Sequence, residues 1–137
     1  MHWRAMVGVL LLVSPVLAAA APAHAAWDPA AFSKENTLEF LTVGPEEGEH
    51  WSTVWLVVID GQVYIRLGSR AADRMTQNTT KPDVKLRIAG QQFDRVKAEP
   101  APDMAPAVAN AMGDKYWSDV LVKYFNHPLT MRLTPEP

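Results

Sequence analysis

Residues 51–90 read WSTVWLVVIDGQVYIRLGSRAADRMTQNTTKPDVKLRIAG and contain two strand patterns that meet at Asp60-Gly61. An Asp-Gly pair between apolar runs is the commonest short signal for a β-hairpin. The second strand ends in Arg66-Leu67-Gly68-Ser69-Arg70, a short polar helix pattern follows, and a third strand runs from Val84 to Ile88. A strand that leads into an Arg/Gly/Ser loop at a helix start is well suited to bind an anion. The stretch therefore predicts a β-rich domain with a candidate phosphate site.

Apolar positions within these strands predict which faces meet in a core. In the second strand Val63 and Ile65 alternate with Tyr64 and Arg66, so only one face is apolar. The first strand, Trp51–Ile59, is apolar on both faces. This pattern is typical of a central strand, or of a strand whose outer face is covered by a helix or by a second subunit.

The remaining patterns predict six strands in all. Further strands are indicated at Thr37–Val43, at Gln91–Glu99 with a bulge near Asp94, and at Leu129–Leu133, and helices at Ala107–Met112 and Asp114–Phe125. The connections after Ile59 and Ile88 are too short for the helical crossovers that a parallel sheet needs. We therefore expect a mainly β (α+β) fold, a closed six-stranded antiparallel barrel with two or three helical insertions.

The amino terminus has the pattern of a secretory signal peptide. Arg4 precedes an apolar run from Val7 to Ala21, and the small residues Ala23-His24-Ala25 form an A-x-A cleavage pattern. A retained membrane anchor is the alternative, but the run is short for a span of roughly 20 residues. We expect residues 1–25 to be a signal peptide, 26–35 a linker and 36–137 the domain, with a periplasmic or secreted location and no membrane span after cleavage.

Composition excludes several classes of chemistry. The chain has no cysteine, so disulfides, thiolate nucleophiles and Cys-ligated metals are impossible. Only His50 and His127 follow the predicted cleavage point, which disfavours a multi-histidine zinc site. The net charge of −2 disfavours a nucleic-acid surface, because such a surface needs a basic stripe.

From Glu35 to Pro137 the chain resembles the flavin-binding split-barrel superfamily. The resemblance is carried by the order of a hairpin, a strand ending in Y-x-R at Tyr64–Arg66, a Ser/Arg loop, N-x-x-K-P-D at Asn78–Asp83, and V-x-L-x-I-x-G at 84–90. This superfamily includes pyridoxamine-phosphate-oxidase-like proteins and deazaflavin-dependent reductases. The chain is most similar to an uncharacterised branch of small bacterial proteins.

The resemblance implies a homodimer that binds FMN, or a related flavin or deazaflavin, in a cleft between subunits. Thr53 would lie beside the ring, and the Arg66 loop would face the phosphate. Two features depart from the reductases: the acidic segment at 44–50 and Met75, where a large aromatic residue is frequent. The implied cofactor-binding residues are Thr53, Tyr64, Arg66, Ser69, Arg70, Lys81 and Trp117.

Simpler roles remain open for several of these side chains. Arg70 could pair with Asp73 at a helix start rather than bind an anion. Trp51 and Trp55 suit a core or an interface as well as a ligand site. No serine lies in a G-x-S-x-G elbow, so hydrolytic chemistry is disfavoured. Two functions are therefore in competition: a flavin-binding oxidoreductase, and a non-catalytic exported protein that holds a haem-like or other small ligand or serves as a subunit of a complex.

Overall fold

The computed structural model describes residues 26–116 and 129–137. The described helices are α1 (Pro29–Phe32), α2 (Ser69–Gln77) and α3 (Ala105–Lys115), with a short 3-10 turn at Pro102–Met104 before α3. The described strands are β1 (Thr37–Gly44), β2 (Gly48–Ile59), β3 (Gln62–Leu67), β4 (Asp83–Ile88), β5 (Gln91–Pro100) and β6 (Leu129–Pro135).

The six strands close into one antiparallel barrel in the order β1-β2-β3-β6-β5-β4. This confirms the predicted fold class and strand count. Closure removes the exposed edges of an open sheet. Among the described residues, no helix has the length and apolar character needed to cross a bilayer.

Two tight turns fix the strand register. Asp60 and Gly61 have φ values of 49° and 73°, and Ala89 and Gly90 have φ values of 53° and 73°. Positive φ at both central residues matches the twist of paired strands, which is why such turns dominate short hairpins. In the β4–β5 hairpin Val84 pairs with Val96 but Leu86 pairs with Phe93, which confirms the predicted bulge near Asp94.

The barrel interior is the main core. It contains the apolar face of β3 that the sequence predicts, together with residues of the other five strands, α1 and α2, among them Leu38, Phe40, Leu56, Val63, Ile65, Leu67, Val84, Leu86, Ile88, Val96 and Leu133. Successive side chains of a strand point to opposite faces, so each strand buries one of its faces in this interior.

A second apolar cluster lies outside the barrel, where α3 covers β2 and β3. Val57 and Tyr64 contact Val108, Met112 and Tyr116 there. From Trp55 to Ile59 the apolar outer face of β2 is therefore covered by a helix, one of the alternatives that its sequence allowed. Tyr64 does point away from the barrel interior, but α3 leaves it only 3% exposed.

The segment predicted as a linker packs onto the barrel. The Asp28 carboxylate accepts a hydrogen bond from the Ala31 amide at 3.2 Å and caps α1. The Trp27 ring meets Phe32 edge-on at 5.1 Å and Phe93 at 5.2 Å, and Phe32 is fully buried. These aromatic residues add apolar contacts to a core that has no disulfide.

The loop between α2 and β4 is fastened to β1 by Asn78. Its Oδ1 accepts a hydrogen bond from the Val43 amide at 2.9 Å, and its Nδ2 donates to the Asp83 carbonyl at 3.0 Å. The Thr79 amide donates to the Val43 carbonyl at 2.8 Å. The loop thus continues the hydrogen bonding of β1 beyond β4 and holds the C-terminal end of α2 in place.

Candidate functional site

A cleft opens where β2 and β3 separate. The two strands pair only from Ile59–Gln62 to Leu56–Ile65. Beyond that point the end of β3 stays with β6, while residues 48–55 of β2 pair with β1 alone within the described part of the chain. The cleft has a volume of about 750 Å³ and is lined by Thr37, His50, Trp51, Ser52, Thr53, Val54, Trp55, Arg66, Gly68, Ser69, Arg70, Ala71, Arg74 and Met112.

One wall of the cleft is basic. It combines Arg66 at the end of β3 with Ser69 and Arg70 in the first turn of α2. The residue before the helix, Gly68, offers no side-chain cap, and a Cβ added there would meet no atom within 4 Å. The first-turn amides of α2 and the positive end of its dipole therefore remain accessible to an anion.

Arg70 does not form the ion pair with Asp73 that its sequence position allowed. Within the described residues no ion pair or side-chain hydrogen bond involves Arg70, and its side chain is exposed. It lines the cleft instead. A guanidinium at this position can bind the oxygens of a phosphate or carboxylate in a bidentate manner.

Another wall of the cleft is partly aromatic. Trp51, Thr53 and Trp55 lie on one face of β2, with the exposed Thr53 between the two half-buried rings. The Trp55 ring stacks on Tyr116 with centroids 4.6 Å apart, and the Arg87 guanidinium lies 3.8 Å from the centre of the Trp51 ring. Both rings are thus held by neighbours before any ligand arrives.

Tyr116 and Lys115 fasten the end of α3 to β2. The Tyr116 hydroxyl lies 2.7 Å from the Asn36 carbonyl, and it accepts a hydrogen bond from the Leu56 amide at 3.3 Å. The Lys115 ammonium donates to the carbonyls of Glu35 and Leu56. Burial lowers the pKa of Lys115, although the Glu35 carboxylate opposes this shift. These contacts bridge the place where the β1–β2 ladder ends and so fix the aromatic wall.

Glu47, Arg74 and His50 form a polar cluster at the edge of the cleft. The Arg74 guanidinium binds the Glu47 carboxylate with three contacts of 3.1–3.2 Å, and His50 Nδ1 lies 3.5 Å from Glu47 Oε1. The hydrogen bonds from Arg74 lower the pKa of Glu47. Sequence reasoning did not identify this cluster, because Glu47 and Arg74 lie 27 residues apart and leave no local pattern.

Four of the seven residues predicted to contact a cofactor line this one cleft: Thr53, Arg66, Ser69 and Arg70. Tyr64 does not, because it lies beneath α3 and its hydroxyl accepts a hydrogen bond from Arg132 Nε at 3.3 Å. Lys81 is exposed, and its ammonium donates to the Thr76 carbonyl at 3.1 Å. Trp117 lies outside the described residues.

The cleft does not assemble a serine nucleophile with a base. Ser52 is buried on the same face of β2 as His50, but its hydroxyl has no hydrogen-bond partner among the described residues. A serine is activated when an adjacent base accepts its proton. The arrangement suits binding of an anionic, planar molecule better than hydrolysis.

No family model and no curated protein matches this chain. Solved structures do match. The heme storage protein HutZ from Vibrio cholerae is 18% identical, with a TM-score of 0.59 over 76% of this chain and 84% of that one. An F420-H2-dependent reductase, FDR-A, is 11% identical, with a TM-score of 0.53 over 72% of this chain and 94% of that one.

Two more structures extend this comparison. A protein of unknown function from Agrobacterium tumefaciens is 17% identical with a TM-score of 0.62, and the match covers 80% of this chain but only 51% of that protein. A domain-swapped dimer is 10% identical with a TM-score of 0.53, covering 73% of this chain and 80% of the other. At these identities the similarity establishes the fold. This chain therefore has the split-barrel fold that its sequence predicts, and it shares that fold with these solved structures.

Proposed function

We propose that the cleft between β2 and α2 binds a flavin-type cofactor, FMN or a deazaflavin, and that the protein is an oxidoreductase. One observation carries this proposal: Thr53, Arg66, Ser69 and Arg70 come from two strands and a helix, yet they line a single cleft. Its volume of about 750 Å³ lies within the usual range for small-molecule sites.

The basic wall fits the phosphate. Arg66 and Arg70 supply guanidinium donors, Ser69 supplies a hydroxyl, and the start of α2 supplies backbone amides and a favourable dipole. A phosphate is an acceptor-rich dianion, so this donor set matches it in both charge and hydrogen bonding.

The aromatic wall fits the ring system. Trp51 and Trp55 present a preformed apolar surface, and the exposed Thr53 between them places a hydroxyl where it can contact a polar ring edge. When bound, a flavin supplies the hydride or electron chemistry, and the protein supplies binding, orientation and exclusion of water.

A second candidate is a non-catalytic protein that binds haem. His50 lines the cleft, and its Nδ1 faces the Glu47 carboxylate, so Nε2 is the nitrogen left for a metal. Histidine ligands usually have their other nitrogen oriented by a carboxylate in this manner. The similarity to a heme storage protein also supports haem binding as the second candidate function.

We also propose that the chain is exported after cleavage at Ala25 and acts as a homodimer. The signal-like pattern of residues 1–25 supports export. The exposed Thr53 and half-buried Trp51 on the outer face of β2 support contact with a second copy, as does the similarity to a domain-swapped dimer. Sedimentation of the purified protein tests this part, and a monomer would contradict it.

Visible spectroscopy tests the ligand. The purified protein is mixed with FMN, a deazaflavin or ferric haem, and unbound ligand is removed. We expect a flavin or deazaflavin band near one equivalent, lost in the Arg66→Ala/Arg70→Ala double variant and kept in Lys81→Ala, which removes a cation outside the cleft. A haem band that depends on His50 and not on His127 would favour the second candidate. A protein that retains none of the three ligands would refute both.

A further inference from the structure

Arg74 and His50 line the cleft but bind a carboxylate that approaches from elsewhere. Glu47, which binds both, lies in the β1–β2 turn and does not line the cleft itself. The turn is flanked by Gly44 and Gly48, and Gly48 has a φ of 75°. The β1–β2 hairpin therefore places a carboxylate of the protein itself, that of Glu47, against the cleft wall.

Helix α2 fixes the distance between Arg70 and the position where Arg74 binds Glu47. Arg70 and Arg74 are four residues apart on α2, so they share one face and lie about one turn, roughly 6 Å, apart along it. Arg70 has no carboxylate partner among the described residues, whereas Arg74 binds Glu47 through Nε and Nη2, one edge of its guanidinium. The basic wall thus carries two neighbouring cationic positions. Within the described part of the chain, Arg74 binds a carboxylate and Arg70 does not.

Little free energy is needed to separate Glu47 from Arg74. The Arg74 and Glu47 side chains are 29% and 43% exposed. Exposed ion pairs of this kind contribute little to stability, because water screens them and long side chains lose freedom in forming them. An incoming acidic group that is already anchored nearby would compete with Glu47 at a high effective concentration.

We infer that Arg74 and His50 form a second anion site in the cleft, and that Glu47 fills it until the second acidic group of a ligand displaces it. The inference rests on the proposed function, since it takes Arg66, Ser69 and Arg70 as the first phosphate site. It assigns the ligand to the class of flavin-type molecules with a further acidic group beyond the first phosphate. FMN, with one terminal phosphate, occupies only the first site.

Binding measurements with matched ligands and matched variants test this inference. FMN and FAD share a flavin and one phosphate, but FAD adds a second phosphate. A deazaflavin with a carboxylate tail gives the other source of a second acid. Glu47→Gln releases Arg74 and His50, whereas Glu46→Gln removes the same charge from the same turn without touching Arg74.

We expect Glu47→Gln to tighten binding of FAD or of the tailed deazaflavin about two- to fivefold, the equivalent of a weak surface ion pair. Glu46→Gln should change it by less than half of that, and FMN should respond to neither substitution. Arg74→Ala should weaken the two-acid ligands about tenfold and leave FMN unchanged. Equal effects of the two glutamate substitutions, or an equal gain for FMN, would overturn the inference.

Inorganic pyrophosphate and phosphate, followed by tryptophan fluorescence, separate this inference from the proposed function. If no flavin binds but pyrophosphate binds more tightly to Glu47→Gln than to the wild type, the second site stands and the flavin proposal fails. If FMN binds through Arg66 and Arg70 while no two-acid ligand responds to Glu47→Gln, the flavin proposal stands and the second site is refuted.

Discussion

Replacing Asn78 by alanine should destabilise the barrel by about 3 kcal/mol. The side chain is 1% exposed and bonds the Val43 amide and the Asp83 carbonyl at 2.9 and 3.0 Å. The Asp83 carbonyl keeps a second donor, the Thr80 hydroxyl at 2.8 Å. The amide of Val43 keeps no such substitute among the contacts described. Loss of a net bond to Asp83 costs about 1 kcal/mol, and the part-buried Val43 amide, left without an acceptor, costs about 1–3 kcal/mol more.

Urea denaturation measures this loss. With a denaturant slope of about 1.5 kcal/mol per molar, 3 kcal/mol lowers the midpoint by about 2 M without changing the slope. Asn110→Ala is the matched control, because Asn110 is exposed on α3 and the same atoms are removed there. It should stay within about 0.5 kcal/mol of the wild type. A loss below 1 kcal/mol for Asn78→Ala would refute the reasoning that this side chain stabilises the link between the α2–β4 loop and β1.

Two further predictions follow from backbone conformation and charge. Gly61→Ala should destabilise the protein by about 1 kcal/mol, because φ is 73° there and a Cβ disfavours that conformation. Gly68→Ala, where φ is −70° and a Cβ meets no atom, should leave the melting temperature nearly unchanged, and equal losses would contradict this account. Burial lowers the pKa of Lys115 below 10.5, so the unfolded chain binds that proton more tightly. Stability should then rise as pH increases through the folded pKa toward 10.5, and Lys115→Met should flatten the rise. If the urea midpoints of Lys115→Met and the wild type change with pH in parallel, a group other than Lys115 causes the rise in stability.

Local patterns predicted the strands because their causes are local. The Asp60-Gly61 pair predicts its own turn, and alternation along β3 and β4 separates an inward from an outward face. The same reasoning placed Arg66 and Ser69 where a strand meets a helix start, and both line the cleft. Each inference needed only neighbours in the sequence.

Long-range partners were not predictable in this way. Glu47 binds Arg74 across 27 residues, Asn78 binds Val43 across 35, and Tyr116 binds Leu56 across 60. No periodicity records such a partner. Tyr64 shows the same limit, because alternation identifies its face of β3 but not the helix that covers that face.

The separation of β2 from β3 has a consequence for solubility. Opening a barrel to make room for a ligand leaves backbone donors and acceptors along residues 48–55 without a strand on that side, within the described part of the chain. Unpaired edges of this kind are templates for aggregation, and proteins commonly blunt them with charge and proline. The turn that leads into this edge carries Pro45, Glu46 and Glu47, and Glu49 follows at its start. The opening that the ligand site needs therefore begins at a turn whose proline and acidic side chains disfavour edge-to-edge pairing with another strand.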